Sequence, residues 1–262
     1  MTEGNVRENL PPSRSLTATM LAALVVALLL PGCSEHPGLV AYRQRDYAAS
    51  LREFRDGSDP VGNFALGLMY YKGEGVARDP VQAVLWFRRA AGRGHAGAQY
   101  NLGLSYLNGE GVAKDAQEAA CWFRLAADGD NVKAQLNLGL MYARGDGVDK
   151  DLQEALRWFR LAADQGSPKG RVYLGEIYFR GEGVVADRAE AAHWFRLAAD
   201  QGSAEAQVYL GAMYLRGDGV KKDREQAADW FRKAAAQGSG RAKQFLEEMD
   251  GAKEMRTGAA RG

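Results

Sequence analysis

A strict 36-residue period runs through most of the chain and limits what it can fold into. The tetrapeptide Gly-acid-Gly-Val begins at residues 73, 109, 145, 181 and 217, and a Trp-Phe pair recurs at 86–87, 122–123, 158–159, 194–195 and 230–231. Five copies of two separate motifs in constant register indicate a repeat architecture, in which each unit stacks on its neighbours.

Each repeat contains two helical patterns. In the second copy, Ala98, Leu102, Gly103 and Tyr106 share one face, and Ala119, Phe123 and Ala126 share another. This spacing predicts a helix A near 97–108 and a helix B near 116–128. Gly109 follows helix A, where a helix end favours a residue that tolerates the left-handed conformation.

Polar residues mark the expected starts of the helices. Asp115 and Glu118 have the spacing of a capping box, in which the aspartate accepts a backbone N–H and the glutamate reaches back to the aspartate. The other copies repeat the pattern with Asp79 and Gln82, Asp151 and Glu154, Asp187 and Glu190, and Asp223 and Gln226. Ser167, Ser203 and Ser239 occupy one column before helix A and are predicted to cap it.

Every copy of helix A also has a glycine in its interior, which costs about 1 kcal/mol relative to alanine. These glycines are Gly67, Gly103, Gly139, Gly175 and Gly211. We expect them to admit the alanines of helix B at close range, with the tyrosines at 70, 106, 142, 178 and 214 filling the adjacent space.

Composition and register argue against several kinds of chemistry. The net charge of +1 arises from 34 basic and 33 acidic side chains, without the basic excess that nucleic-acid binding requires. Cys121 and His193 share a column with Leu85, Arg157 and Asp229, which predicts a permissive, solvent-facing position on helix B. The three histidines lack metal-ligand spacing. We therefore expect no catalytic, cofactor or metal site.

The N-terminal segment has the features of an export signal. Residues 16–30 carry no charge and are too few for a typical membrane span of about 20 residues. Leu30-Pro31-Gly32-Cys33 resembles the lipobox of bacterial lipoproteins, which implies that Cys33 is lipidated; the alternative is an uncleaved, short membrane anchor. Ser34 in place of an aspartate favours the outer membrane of a Gram-negative cell.

The repeat itself resembles a known family. Leu102-Gly103, Tyr106, the loop 109–112, Ala119, Trp122-Phe123 and Ala126-Ala127 resemble a Sel-one-like repeat, which is related to the tetratricopeptide repeats. The resemblance implies an all-α fold, an α-solenoid of antiparallel helix pairs wound as a right-handed superhelix. Repeats are expected at 61–96, 97–132, 133–168, 169–204 and 205–240. Around them we expect a signal peptide at 1–32, a linker at 33–38, a half-repeat cap at 39–60, a capping helix at 241–250 and a disordered tail at 251–262.

In tetratricopeptide-like stacks the A helices line a concave groove, and this resemblance locates a candidate binding surface. The residues we expect to bind a partner protein or peptide are Asn101, Asn137, Arg144, Tyr173, Arg180, Tyr209 and Arg216. Asparagines can pair with a peptide backbone, and arginines can bind carboxylates in bidentate fashion. The alternative is that these columns only pack the A helices against their neighbours.

The sequence thus predicts a monomeric, non-enzymatic interaction scaffold, anchored in the bacterial envelope by lipid and facing the periplasm. Two alternatives remain open. Cysteine-rich members of the family, with paired cysteines in each repeat, suggest an enzyme acting on cell-wall peptides or β-lactams, although this chain has only two cysteines. A secreted effector acting on a host is the other.

Overall fold

The computed structural model of the chain describes residues 36–54 and 57–259, with side chains described as far as residue 251. The predicted signal peptide 1–32 and the lipidation site Cys33 lie outside these residues. The described part is helical and contains no strand. No helix within it combines the length and the apolar composition needed to cross a membrane. The chain divides into two compact units, Met1–Glu53 and Phe54–Gly262.

The first unit contains two short helices, α1 (Pro37–Arg43) and α2 (Tyr47–Glu53). Helix α1 begins inside the segment predicted to be a linker. Its start is defined by His36, whose Nδ1 accepts a hydrogen bond from the Gly38 N–H at 3.1 Å, and by Pro37 in the first turn, where proline needs no N–H partner.

The second unit is a series of helix pairs that confirms the predicted α-solenoid. The A helices are α3 (Pro60–Lys72), α5 (Ala96–Asn108), α7 (Val132–Arg144), α9 (Pro168–Arg180) and α11 (Ala204–Arg216). The B helices are α4 (Pro80–Ala91), α6 (Ala116–Asp128), α8 (Leu152–Asp164), α10 (Arg188–Asp200) and α12 (Arg224–Ala236). Each A helix packs on the B helix that follows it, and each B helix packs on the next A helix.

A last helix, α13 (Gly240–Ala259), packs on α12 as a further A helix. Phe245 stacks on Phe231 at 4.7 Å between ring centroids, and Glu247 is exposed at the position where earlier copies have glycine. The helix continues beyond residue 250, where a disordered tail was predicted. Ala252, Lys253 and Glu254 have high helix propensity, which allows the extension.

The start of each B helix differs in one respect from the predicted capping box. Asp115 Oδ1 accepts hydrogen bonds from the backbone N–H of Gln117 and Glu118 at 2.9 and 3.0 Å, as expected. Glu118 does not reach back, because the Asp115 N–H already donates to the Tyr106 carbonyl. The glutamate instead accepts from Trp122 Nε1 at 2.9 Å. The same bond joins Trp158 to Glu154 and Trp194 to Glu190.

The A helices begin at polar caps, as predicted for the three serines. Ser167 Oγ accepts from the Gly170 N–H and Ser203 Oγ from the Ala206 N–H, and Ser239 acts in the same way in α13. In the corresponding position of α5, His95 Nδ1 accepts from Ala98, and burial lowers the pKa of this imidazole. Each cap satisfies an N–H group that the helix leaves unpaired.

The glycines inside the A helices face phenylalanine, so the prediction that alanines make this contact was wrong. A Cβ at Gly139 would lie 2.6 Å from Phe159 Cε1, and the other copies meet Phe87, Phe123, Phe195 and Phe231 in the same way. These rings, from the Trp-Phe pairs, are almost completely buried. Only a residue without a Cβ lets the A helix lie directly on the ring, and this gain in packing explains a repeated cost in helix propensity.

Successive pairs are joined at two further places. Arg88 Nη2 donates to the Tyr106 hydroxyl at 2.7 Å and Arg160 Nη2 to the Tyr178 hydroxyl at 2.8 Å. The loop glycine Gly111, at φ 75°, packs so closely on the start of the preceding α4 that a Cβ would overlap a backbone carbonyl there. The tyrosines therefore bind the neighbouring pair rather than only filling space beside the glycine.

Candidate functional site: the groove face

The candidate site is the surface of the A helices that is not covered by B helices. This surface, the groove face, consists of Phe64, Leu68, Tyr100, Asn101, Leu136, Asn137, Leu140, Tyr173, Glu176 and Tyr209, with Arg144, Arg180 and Arg216 at the C-terminal ends of their helices. The first ten are half-buried and the three arginines are exposed. Apolar side chains at these positions are therefore only partly removed from solvent by the fold.

Two adjoining depressions lie along this face. One, of about 440 Å³, is lined by side chains from α5, α7 and α9, with Leu136 and Leu140 between Tyr100 and Tyr173. The other, of about 500 Å³, lies between α3, α5 and the start of α7 and includes Phe64. Both share Tyr100 and Lys133, so together they span four consecutive A helices.

Two tyrosines of the groove face pack on buried phenylalanine rings beneath it. The Tyr173 ring lies 4.6 Å from the Phe159 ring, and the Tyr209 ring lies 4.6 Å from the Phe195 ring at an interplanar angle of 9°. Burial raises the pKa of both tyrosines, and the Tyr209 hydroxyl also donates to Glu176. Their hydroxyl groups are therefore protonated at neutral pH and can donate hydrogen bonds.

The two predicted asparagines point their amides at groups within the array. Asn101 Nδ2 donates to the Gly97 carbonyl of its own helix at 2.9 Å. Burial raises the pKa of Tyr100, and a hydrogen bond with the Asn137 side chain lowers it, so Asn137 lies within reach of that hydroxyl. An asparagine side chain has two N–H donors and one acceptor, so each residue keeps capacity for a further partner.

The three predicted arginines do not form one uniform basic rim. Arg180 pairs with Glu176 at 3.6 Å and with Glu182 at 3.4 Å. Arg144 and Arg216 make no ion pair with any described residue. The charge of Arg180 is thus partly neutralised by two nearby glutamates, whereas the charges of Arg144 and Arg216 can pair with a bound partner.

Sequence reasoning missed two lysines at the opposite end of the helices. Lys133 and Lys169 are the second residues of α7 and α9, and both line the central depression. The signal that could have identified them is their column, which reads Gly97, Lys133, Lys169, Glu205, Arg241. The charge in that column changes along the array. The column was not selected because it lies in the first turn, ahead of the apolar positions from which the face of the A helix was identified.

The column containing Cys121 lies on the outer surface of the B helices, as predicted. Cys121 and His193 are both exposed, and they belong to α6 and α10, which are separated by another complete helix pair. Among the described residues there is no group of three or more potential metal ligands.

Two of the acids in the Gly-acid-Gly-Val loops, Glu110 and Asp218, bind residues of the preceding helix pair. Glu110 accepts from the Tyr71 hydroxyl at 2.8 Å and pairs with Arg78 at 3.3 Å. Asp218 pairs with Arg188 of the preceding pair at 2.5 Å. The acids therefore have partners within the array.

Comparison with known proteins places this geometry in context. The family model described as "Sel1 repeat" matches residues 60–95, 96–131, 132–167, 168–203 and 204–239. The fold is similar to a Sel1 repeat protein from Oxalobacter formigenes, with 32% identity, a TM-score of 0.74, and coverage of 80% of this chain and 84% of that one. It is also similar to a protective antigen of uropathogenic Escherichia coli strains that displays an SLR fold, with 41% identity and a TM-score of 0.74. That match covers 76% of this chain but only 43% of the antigen. Comparison with curated protein sequences gave no match.

Proposed function

The chain belongs to the Sel1-repeat family, and from that premise we propose that it is a non-enzymatic scaffold that binds a partner protein or peptide along the groove face. Sel1-repeat proteins generally mediate protein interactions. The observation that carries the proposal is the pair of adjoining depressions lined by apolar and aromatic side chains of successive A helices. Exposed apolar surface of this kind, bordered by polar groups, is typical of interaction sites.

The alternative role for these columns, packing between A helices, applies to part of the face. Val172 and Val208 are buried, with exposed fractions of 2% and 5%, and belong to the core. Their counterparts Tyr100 and Leu136 are half-buried and line the depressions. The column is therefore open in the first three pairs, from Phe64 to Leu136, and closed in the last two, which favours binding away from the C-terminal end of the array.

An enzyme acting on cell-wall peptides or β-lactams would need a nucleophile in hydrogen-bond reach of a base. Cys121 and His193 are both exposed and lie on different helix pairs, so they do not form such a pair. The geometry therefore favours the scaffold.

We further propose that Cys33 carries a lipid that holds the scaffold in the bacterial envelope, facing the periplasm, in the outer membrane. The support is the uncharged run at 16–30 followed by the Leu30-Pro31-Gly32-Cys33 motif.

Site-specific photo-crosslinking in intact cells tests the binding surface. A crosslinking amino acid at Leu136, on the groove face, should yield a discrete covalent product with an envelope protein. The same amino acid at Arg157, exposed on the B helix of the same pair, is the matched control and should not. Joint replacement of Arg144, Arg180 and Arg216 by Glu should lower the yield at position 136.

The outcome decides between the two interpretations of the groove face. Identical products from positions 136 and 157, or a yield at 136 that the three Glu substitutions leave unchanged, would show that the groove face is not the binding surface. Identification of the product by mass spectrometry then names the partner.

A further inference from the structure

The middle of the groove face carries positive charge that the array does not neutralise. Lys133 and Lys169 are exposed and make no ion pair with any described residue. Both border the central depression, whose other lining side chains carry no charge. Two cations thus border one depression, and Arg144, a third cation without an ion pair to any described residue, lies at the C-terminal end of the same helix as Lys133.

Helix stability does not explain the two lysines. They occupy the first turns of α7 and α9, where the partial positive charge of the helix N-terminus makes a cation unfavourable. A carboxylate at the same place would interact favourably with the ammonium group and with the helix end. The arrangement is therefore poor for the isolated array and suited to an acidic partner.

The acids on the same face do not cancel this charge. Glu176 is already engaged, since it pairs with Arg180 and accepts from the Tyr209 hydroxyl. Glu205 lies one repeat beyond Lys169 in the same column and is near enough to contribute to the raised pKa of Tyr173. In this first-turn column the charge therefore changes sign from Lys169 in α9 to Glu205 in α11, which defines one end of the basic segment.

We propose that the central segment of the groove face binds an extended, acidic peptide of another protein, in which two acidic residues flank an apolar side chain. The apolar side chain enters the depression between Tyr100, Leu136, Leu140 and Tyr173, and the two carboxylates pair with Lys133 and Lys169. This inference rests on the proposed function and specifies the partner's chemistry.

Geometry suggests the spacing of the acids. An extended chain turns alternate side chains to the same face and advances about 3.3 Å per residue. If the apolar residue and both acids face the groove, each acid lies two positions from the apolar residue, and the two acids lie four positions, or about 13 Å, apart. Lys133 and Lys169 border the same depression, so one such peptide can present a carboxylate to each lysine. The hydroxyl groups of Tyr100 and Tyr173 can in addition bond to the peptide backbone.

Selection from a random nine-residue peptide library on the full chain, purified in detergent, tests the proposal without assuming a natural partner. Enriched peptides should contain Asp or Glu two positions before and two positions after an aliphatic or aromatic residue. Enrichment without acids, or no enrichment, would overturn the proposal.

Charge reversal then tests the site. The double substitution Lys133→Glu and Lys169→Glu should lower the affinity for a selected peptide by about 10-fold, because two attractions become repulsions at exposed positions. Lys114→Glu with Lys150→Glu makes the same change in net charge at exposed loop positions of two neighbouring pairs, and should leave the affinity within about 2-fold. A peptide with Lys in place of both acids should bind the first variant better than the unmodified chain.

The result separates this inference from the proposed function. Equal weakening by both double variants would mean that net charge, not this site, recruits the peptide, and the proposal would fail. If crosslinks from Leu136 persist in that case, the scaffold function stands with a partner of different chemistry.

Discussion

At the scale of single residues, each helix pair depends on a contact between a glycine of helix A and a phenylalanine ring of helix B. Gly139 lies on Phe159, and the space beside its Cα is occupied by ring carbons. Phe159 is 2% exposed, and its ring also lies 4.6 Å from the Tyr173 ring, so it has little room to move. The same ring thus packs against Gly139 in the core and against Tyr173 of the groove face.

Gly139→Ala is therefore expected to destabilise the protein by about 1–2 kcal/mol, because overpacking a core costs more than the gain in helix propensity. Urea unfolding monitored by circular dichroism measures the change. Gly251→Ala, inside α13 with no atom within 4 Å of the added Cβ, is the matched control and should not destabilise. Adding Phe159→Leu to Gly139→Ala should cost less than the sum of the single changes; strict additivity would contradict the contact.

At the scale of the helix, the start of each B helix combines a cap with an aromatic anchor. Asp151 Oδ1 accepts from the backbone N–H of Gln153 and Glu154, and Glu154 then accepts from Trp158 Nε1 at 3.1 Å. The cap begins the helix, and the glutamate one turn later satisfies the only polar atom of a tryptophan side chain that is 1% exposed.

Removing that acceptor should be costly. Glu154→Ala leaves a buried indole N–H without a partner and is expected to lower the free energy of unfolding by about 1–3 kcal/mol. Glu154→Gln keeps an acceptor oxygen and should cost less than about 1 kcal/mol. Glu118→Ala should have a smaller effect than Glu154→Ala, because Trp122 is only half-buried. Similar losses for Ala and Gln at position 154 would count against the hydrogen bond.

At the scale of the whole molecule, the proposed function depends on a regular array whose A-helix surface varies from pair to pair. The invariant positions, such as the Trp-Phe pairs, build the same joint five times. The variable positions on the A helices change charge and size from pair to pair. Among the described residues, the middle of the array combines open depressions with lysines that make no ion pair. A repeat protein can in this way present one distinct site without a distinct fold.

The proposed lipid anchor belongs to the same scale and can be tested by fractionation. In the native host, the unmodified chain should sediment with the outer membrane and be released only by detergent. Cys33→Ala should move the protein to the soluble periplasmic fraction. Cys121→Ala, at the only other cysteine, should leave fractionation unchanged. Membrane association that survives Cys33→Ala would favour the uncleaved anchor instead.

The period and the helical spacing within each copy predicted a repeat of helix pairs, the bounds of both helices in the second copy to within about a residue, and the capping residues, because these depend on local spacing and on backbone N–H groups near in sequence. The resemblance to Sel-one-like repeats supplied the solenoid. Tertiary structure decided which partners meet. Phe159 rather than an alanine lies on Gly139, and Trp122 rather than Asp115 engages the Glu118 carboxylate. It also decided that Glu176 occupies Arg180 while Lys133 and Lys169 remain unpaired. The Gly139–Phe159 contact depends on a distance between two helices, which a spacing pattern does not contain. The Glu118–Trp122 and Glu176–Arg180 contacts lie within one helix at i,i+4. For these pairs, spacing allows the contact, and the surrounding groups decide which partner each carboxylate takes.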